Sequence, residues 1–342
     1  MDVVPYKFVD SVVELFDGEE TLDPLANEVR NPLWKAVVDV HYRNREYYDV
    51  YVRVTKGGTK AQLATRKNFT EIYGNLESIQ KNSRFARINR IDDLSLSHRL
   101  EMDNFQLLTK ADAVKQLKTV LPYFELGSVL VSTGDLSDGQ RIILPTLFNR
   151  VSLRSIYLTY HGQITLDFLK DQINNSPYLE MVHLYGDKWP KSVLPLVESF
   201  CLKGRPGKLV SLWMTETTTQ VIDMRFVQKL FDHWEVSRNL NFSLSFNKKA
   251  IDHSGRTALL NQGRVLEITP AKFYNHSSSI GAFLSLGDIW CLEFRSCEVR
   301  SRGFGRSVAR YLRTLRSRSN PAPVKSIMQY LVVQVRSEDA PS

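Results

Sequence analysis

Apolar positions near the N-terminus follow a helical period. Phe8, Val9, Val12, Val13 and Phe16 fall on one side of a helix, and Asp17-Gly18 closes the pattern. Leu22, Leu25, Ala26 and Val29 predict a second short helix. Asn31-Pro32 is a helix-start signal, and Leu33, Trp34, Val37, Val38 and His41 carry the pattern on. The period then changes to two. Tyr48, Val50, Val52 and Val54 alternate with Tyr47, Asp49, Tyr51 and Arg53, which predicts a strand. Gly57-Gly58 supplies a turn, so 47–68 reads as a hairpin. Residues 70–120 are mixed, with a helix predicted over 110–121 and stopped by Pro122.

A longer rhythm starts near residue 123. Leucine, two residues, an apolar residue, one residue, and another apolar residue recur at 153–158, 179–184 and 209–214, with starts 26 and 30 positions apart. A fourth strand-like segment, 240–246, begins 31 positions later. Between them lie helical patterns: Leu166, Leu169 and Ile173; Val193, Leu194, Val197 and Phe200; Phe226, Val227, Leu230, Phe231 and Trp234. Strand, turn and helix in repetition is the leucine-rich-repeat plan, in which each unit buries its apolar face on the next. The usual repeat asparagine is replaced by His161, Asp187 and Thr217. An ordinary α/β domain whose strands begin with leucine fits the same pattern. Asp135-Leu-Ser-Asp138-Gly139 reads as a turn joining 129–132 to 142–144. Residues 264–268 predict a short edge strand, with further strands at 289–294 and 327–335.

The 342 residues are 43% hydrophobic and 24% charged, enough to bury a sizeable core, which excludes a chain disordered throughout. Three cysteines, Cys201, Cys291 and Cys297, do not make a disulfide framework and suit a reducing cytoplasmic or nuclear setting. The opening MDVVPYKFVD lacks the basic and apolar regions of a secretory leader, and the apolar run 281–294 is too short to span a membrane.

The net charge of +8 is unevenly distributed. Residues 1–50 hold five basic and eleven acidic residues, a net of −6; residues 51–100 hold ten and four, a net of +6. Residues 295–325 hold nine basic residues and one acid, a net of +8. There Val308, Tyr311, Leu312 and Leu315 form an apolar stripe at helical spacing, among Arg302, Arg306, Arg310, Arg313 and Arg316. These arginines are candidate anion-binding residues, with nucleic-acid phosphate, an anionic surface or a basic-helix partner as the options. A nuclear-import patch and a solvated helix face fit the same residues.

No catalytic constellation appears. None of the seven histidines pairs with another His or Cys at zinc-ligand spacing. Lys56-Gly-Gly-Thr-Lys60 lacks phosphate-loop spacing and fits a hairpin turn. Gly303-Phe-Gly305 lacks the third glycine of a dinucleotide fingerprint. Cys201 sits in an apolar helical stretch, where a buried, inert thiol is the commoner case. No cofactor is expected.

The N-terminal pattern Val4-Pro5-x-x-Phe8-Val9-x-x-Val12, followed by Leu22, Leu25, Ala26 and then Trp34, resembles an F-box. With the segment Phe168-Leu-Lys-Asp-Gln-Ile-Asn-Asn-Ser176 through Leu179, the chain resembles the divergent F-box-associated proteins of nematodes. The resemblance covers about residues 4–45 and 120–250. It implies a mixed α/β protein: an F-box-like helical module over 1–46, a hairpin and helical connecting region over 47–122, a leucine-rich-repeat-like β-α solenoid over 123–294, and an arginine-rich stretch with a terminal strand over 295–342.

It further implies a non-enzymatic substrate receptor of a ubiquitin ligase. Pro5, Phe8, Val9, Val12 and Trp34 would meet a Skp-type adaptor. Arg154, Tyr157, Glu180, His183, Ser211 and Trp213 would meet a protein target. A plain helical cap over the first repeat fits residues 4–38 equally in apolar period. Which alternating strand set faces outward is open, because a one-residue shift inverts it.

Overall fold

The computed structural model describes residues 4–55, 58–68, 70–95, 104–134, 138–214, 222–237 and 241–250, and the strands Gly263–Ile268, Ala271–His276, Gly281–Leu286 and Ile289–Phe294. The chain opens with α1 (Tyr6–Glu14), a π-helical turn (Gly18–Leu22), α2 (Asp23–Glu28) and α3 (Pro32–Asn44). The capping chemistry sets these boundaries. Asp17 accepts the Glu20 N–H at the entry to the π turn, and the Asn31 side chain accepts the N–H groups of Leu33 and Trp34, with Pro32 at the first helical position. Val9, Val13, Leu22, Ala26, Val37 and Val38 close into a small core of their own.

From residue 46 to residue 294 the described residues form a mixed α/β structure built on one sheet. Its elements are β1 (Glu46–Val54), β2 (Lys60–Lys67), β3 (Glu71–Tyr73), α4 (Glu77–Lys81), β4 (Ala86–Asp93), β5 (Leu108–Thr109), α5 (Lys110–Val120), β6 (Phe124–Ser132) and α6 (Asp138–Leu147). They continue as β7 (Ser155–Thr159), α7 (Gln163–Asn175), β8 (Met181–Tyr185), α8 (Leu194–Cys201), β9 (Val210–Met214), α9 (Met224–Ser237) and β10 (Phe242–Asn247). The strands β11 (Gly263–Ile268), β12 (Ala271–His276), β13 (Gly281–Leu286) and β14 (Ile289–Phe294) follow.

The strand order is β11-β12-β13-β14-β10-β9-β8-β7-β6-β4-β1-β2-β3, with β5 beside β2. The run β1, β4, β6, β7, β8, β9, β10 is parallel throughout, and each new strand adds beside its predecessor. Helices α5 to α9 pack in the same succession. Antiparallel hairpins extend both ends, β2 and β3 at one and β11–β14 at the other. Residue 122 is not a break in this sheet: β4 pairs with β6, and one apolar core runs from Tyr48 to Ala250.

The strands predicted from the recurring leucine pattern form at β7, β8 and β9, with helices between them. The hairpin over 47–68, the edge strand at 264–268 and the strand at 289–294 form as well. The turn between β1 and β2 carries Gly58 at φ +67°, a left-handed conformation suited to glycine.

The expected turn over 135–139 is corrected: Asp138 and Gly139 belong to α6, which also holds residues 142–144. A short Ile-Ile-Leu run suits a buried helix as well as a strand, and here Gln140, Ile143 and Leu147 are buried along the same helix. The connecting region also contains β4, which strict alternation misses. Ile88 and Ile91 are both buried although three residues apart, because the pairing shifts register between Ile88 and Arg90. Residues 135–137 and 295–342, with the basic stripe and the strand at 327–335, lie outside the described residues.

Buried glutamines tie the units together. Gln172 on α7 accepts the Leu153 N–H at 3.0 Å and donates to the Val151 carbonyl at 2.9 Å, fixing the loop into β7. Gln140 on α6 donates to the Ser132 and Thr159 carbonyls and accepts the Thr165 hydroxyl. Gln172→Leu keeps the volume and removes both loop bonds, leaving a buried N–H and C=O unmatched. It is expected to cost about 2–4 kcal/mol. Denaturant melts should show this loss, while Gln163→Ala on the exposed side of α7 should stay within about 0.5 kcal/mol of wild type.

Candidate interaction site

Helix α1 carries two apolar stripes. One, formed by Val9 and Val13, is fully buried in the module. The other, Phe8, Val12 and Leu15, runs along a different side at i, i+4 and i+7. Phe8 is 57% exposed and Leu15 72% exposed, with Val12 half-buried. Tyr42 on α3 is 51% exposed, and Val4 and Tyr6 are also exposed. A short helix with a second, solvent-facing apolar stripe presents the kind of surface that marks a protein contact. Of the expected adaptor residues, Pro5 and Phe8 are exposed, Val12 and Trp34 are half-buried, and Val9 is enclosed in the module core. Leu15, Tyr6 and Tyr42 were not among the sequence candidates. Leu15 lies two turns beyond Phe8, so a helical projection finds it.

The module is anchored to the sheet by buried charge. Arg45, at the C-terminal end of α3, donates to the carbonyls of Phe16 (2.5 Å), Val13 (2.8 Å) and Glu14 (3.1 Å). These carbonyls close α1, where the helix dipole is negative. Arg87 on β4 donates to the Glu14 carbonyl at 3.1 Å and lies 3.6 Å from its carboxylate. Glu125 on β6 accepts the Gly18 N–H at 2.8 Å and lies 3.4 Å from Arg45. Burial, then the nearby Asp17 carboxylate, raises the Glu125 pKa to about 7; the Gly18 N–H, Arg45 and Arg87 pull the other way. The fit is close, and a Cβ at Gly18 would collide with the Tyr47 hydroxyl.

A second anchor joins Asp10 on α1 to Arg84, at 2.9 and 3.0 Å, and to the buried His41 on α3 at 2.9 Å. Burial holds the His41 pKa below its ordinary value despite Asp10.

On the sheet, the helices cover the face carrying Ile156, Leu158, Val182, Leu184, Val210 and Leu212. The alternate residues form cross-strand rows on the opposite face. Val131, Tyr157, His183, Trp213 and Ser245 are successive partners in one row, and Ser155, Met181, Ser211 and Ser243 in the next. His183 stacks on Tyr185 with ring centres 4.0 Å apart, and lies 5.5 Å from Tyr157 and 5.6 Å from Trp213. Tyr157, His183, Ser211 and Trp213 of the expected target-binding set therefore share the face opposite the helices. His183 is buried, whereas Tyr157, Ser211 and Trp213 are half-buried. Tyr185 belongs with them, one step further along β8.

Arg154 and Glu180 precede these strands and are placed differently. Arg154 bonds Glu180 at 2.9 Å and also pairs with Glu20 of the helical module. They join module and sheet at the end where the parallel strands begin. The expected anion-binding arginines, Arg302, Arg306, Arg310, Arg313 and Arg316, lie outside the described residues.

Among the described residues, no group of three or more His, Cys, Asp or Glu side chains is placed to hold a metal ion. Burial pushes the Cys201 thiol far up, which suppresses the reactive thiolate. Among the described residues, no helix is long and apolar enough to cross a membrane. No known protein family, curated protein or solved structure matches the chain.

Arg45→Met removes the donor to three carbonyls and leaves Glu125 without its nearest cation. It is expected to cost about 3–5 kcal/mol, the scale for breaking a buried ion pair. Because the module has its own core, the loss should appear first as protease cleavage between α1 and α3, while the sheet region stays resistant. Loss of the whole fold in a single step would contradict a separately anchored module.

Proposed function

We propose that this chain is a non-enzymatic interaction protein, an F-box-like substrate receptor whose helical module engages a Skp-type adaptor. The observation that carries the reading is the exposed stripe Phe8, Val12 and Leu15 on α1, beside a buried stripe that already meets the module's packing needs. Apolar side chains left in water on so small a module favour burial against a partner, each fully buried one contributing about 1.5–3 kcal/mol. On this reading the sheet region is a repeat-like β-α array that receives a protein target, with Tyr157 and Trp213 as aromatic contacts. The anchors through Arg45, Arg154 and Glu125 then hold the adaptor side and the target side in a fixed relation.

Capture of the full chain by immobilised Skp-type adaptor tests the reading. Saturable binding is expected for wild type, with at least a tenfold loss for Phe8→Asp, since one well-placed contact contributes 1.4 kcal/mol or more. Phe8 faces solvent, so circular dichroism should not change. Val9→Asp should instead unfold the module. Undiminished capture by Phe8→Asp, or none by wild type, would reject the assignment.

A further inference from the structure

The seam between the helical module and the sheet closes over a carboxylate, not over apolar side chains alone. Glu125 is buried there on β6. It is faced by the Gly18 N–H and the Asp17 carboxylate of the turn after α1, and by Arg45 at the end of α3. Tyr47 on β1 and Arg87 on β4 also face it. Glu14 closes the Arg87 side, and Asp23 reaches Tyr47 electrostatically. Asp17 is held by the Glu20 N–H, and Glu20 by Arg154. A Cβ on Gly127 would strike the Asp17 carboxylate, so Asp17 is pressed against the same strand that carries Glu125. The buried Glu125 thus shares the seam with the half-buried Asp17 carboxylate and two guanidiniums, and both guanidiniums are also committed to α1 backbone carbonyls.

We propose that this seam is a proton-operated latch: uptake of one proton by Glu125 tightens the module's grip on the sheet, and its release loosens it. The neutral carboxyl removes the repulsion with Asp17 and the cost of a buried charge, which together outweigh the lost attraction to Arg45 and Arg87. Its carbonyl oxygen still accepts the Gly18 N–H. With the module lifted away, Glu125 would be solvated and would titrate near the ordinary 4.5 for glutamate. The closed seam raises the pKa to about 7. A raised carboxylate pKa stabilises the closed state fully below the open-state value, and that contribution is lost as pH rises through about 7. His41 works in the opposite direction, since its protonation on acidification disfavours the buried neutral ring. The two contributions are therefore separable by sign. The inference concerns how the module is held, and stands whether or not the module binds an adaptor.

Hydrogen exchange of the full chain at pH 6 and pH 8, corrected for intrinsic exchange, tests the latch. Glu125 should make the amides of α1 and α3 about tenfold more protected at pH 6 than at pH 8, relative to the central strands β7–β9, and His41 should take back part of that gain. Glu125→Gln keeps the acceptor and cannot ionise, so the gain at pH 6 should be lost and only the opposite His41 trend should remain. Asp17→Asn removes the neighbouring charge and should move the midpoint to lower pH. A ratio between the two pH values that is the same in Glu125→Gln as in wild type would overturn the proposal. If Glu125→Gln lacks the wild-type circular dichroism spectrum, the Asp17→Asn midpoint decides: an unmoved midpoint overturns the latch.

Discussion

The structure rests on one requirement: a parallel sheet must have its apolar strand face covered, and a strand can supply the cover only through the chain that follows it. Each of β6, β7, β8 and β9 is followed by a helix before the next parallel strand. The inward residues Leu130, Ile156, Leu158, Val182, Leu184, Leu212 and Leu244 then meet Phe168, Leu169, Val197, Phe200 and Val227 from those helices. Because each strand adds beside its predecessor, the helices also lie in order and seal one another's flanks. The loops crossing between the layers bring polar backbone inside, and Gln140 and Gln172 complete it. Without these two amides, buried peptide groups would be left unmatched.

The helical module uses a different bond to the rest of the chain. Its own apolar core is small, and its attachment relies on charge: Arg45 and Arg87 gather the last carbonyls of α1, and Glu125 receives the turn that follows. Such an attachment is directional. It fixes orientation more sharply than apolar contact would, and leaves the outer stripe of α1 free of structural duty. Arg154 adds a link from the same module to the start of β7 and, through Glu180, to β8. The module and the starts of β7 and β8 are therefore linked through shared side chains.

Much of this was legible in the sequence where one periodicity dominates. The α1 and α3 stripes and the recurring leucine pattern of β7–β9 each reflect one buried side, so spacing reveals them, whereas β1 alternates in sequence although Tyr48 to Val52 are buried on both faces. β4 was hidden because its register shift places Ile88 and Ile91 on the same side, and α6 because Ile142–Leu144 is buried all round. The pairing of Tyr157, His183 and Trp213 followed from parity once the strands were right. The roles of Arg154, Glu125 and Arg45 did not, because each acts on groups between 26 and 134 residues away, a separation that local pattern does not encode.

The successive order of the parallel strands also bears on how the chain reaches this state. No strand from β7 to β10 has to wait for a distant segment before it can pair, since its neighbour is the strand made just before it. Loop closure between such neighbours spans one helix and its turns, so the entropic barrier to each addition is small and similar from unit to unit. The array can grow in the direction of synthesis, each finished unit templating the next. Among the described residues, the β11–β14 ladder pairs with the parallel strands through β14 and β10, and it is made after them.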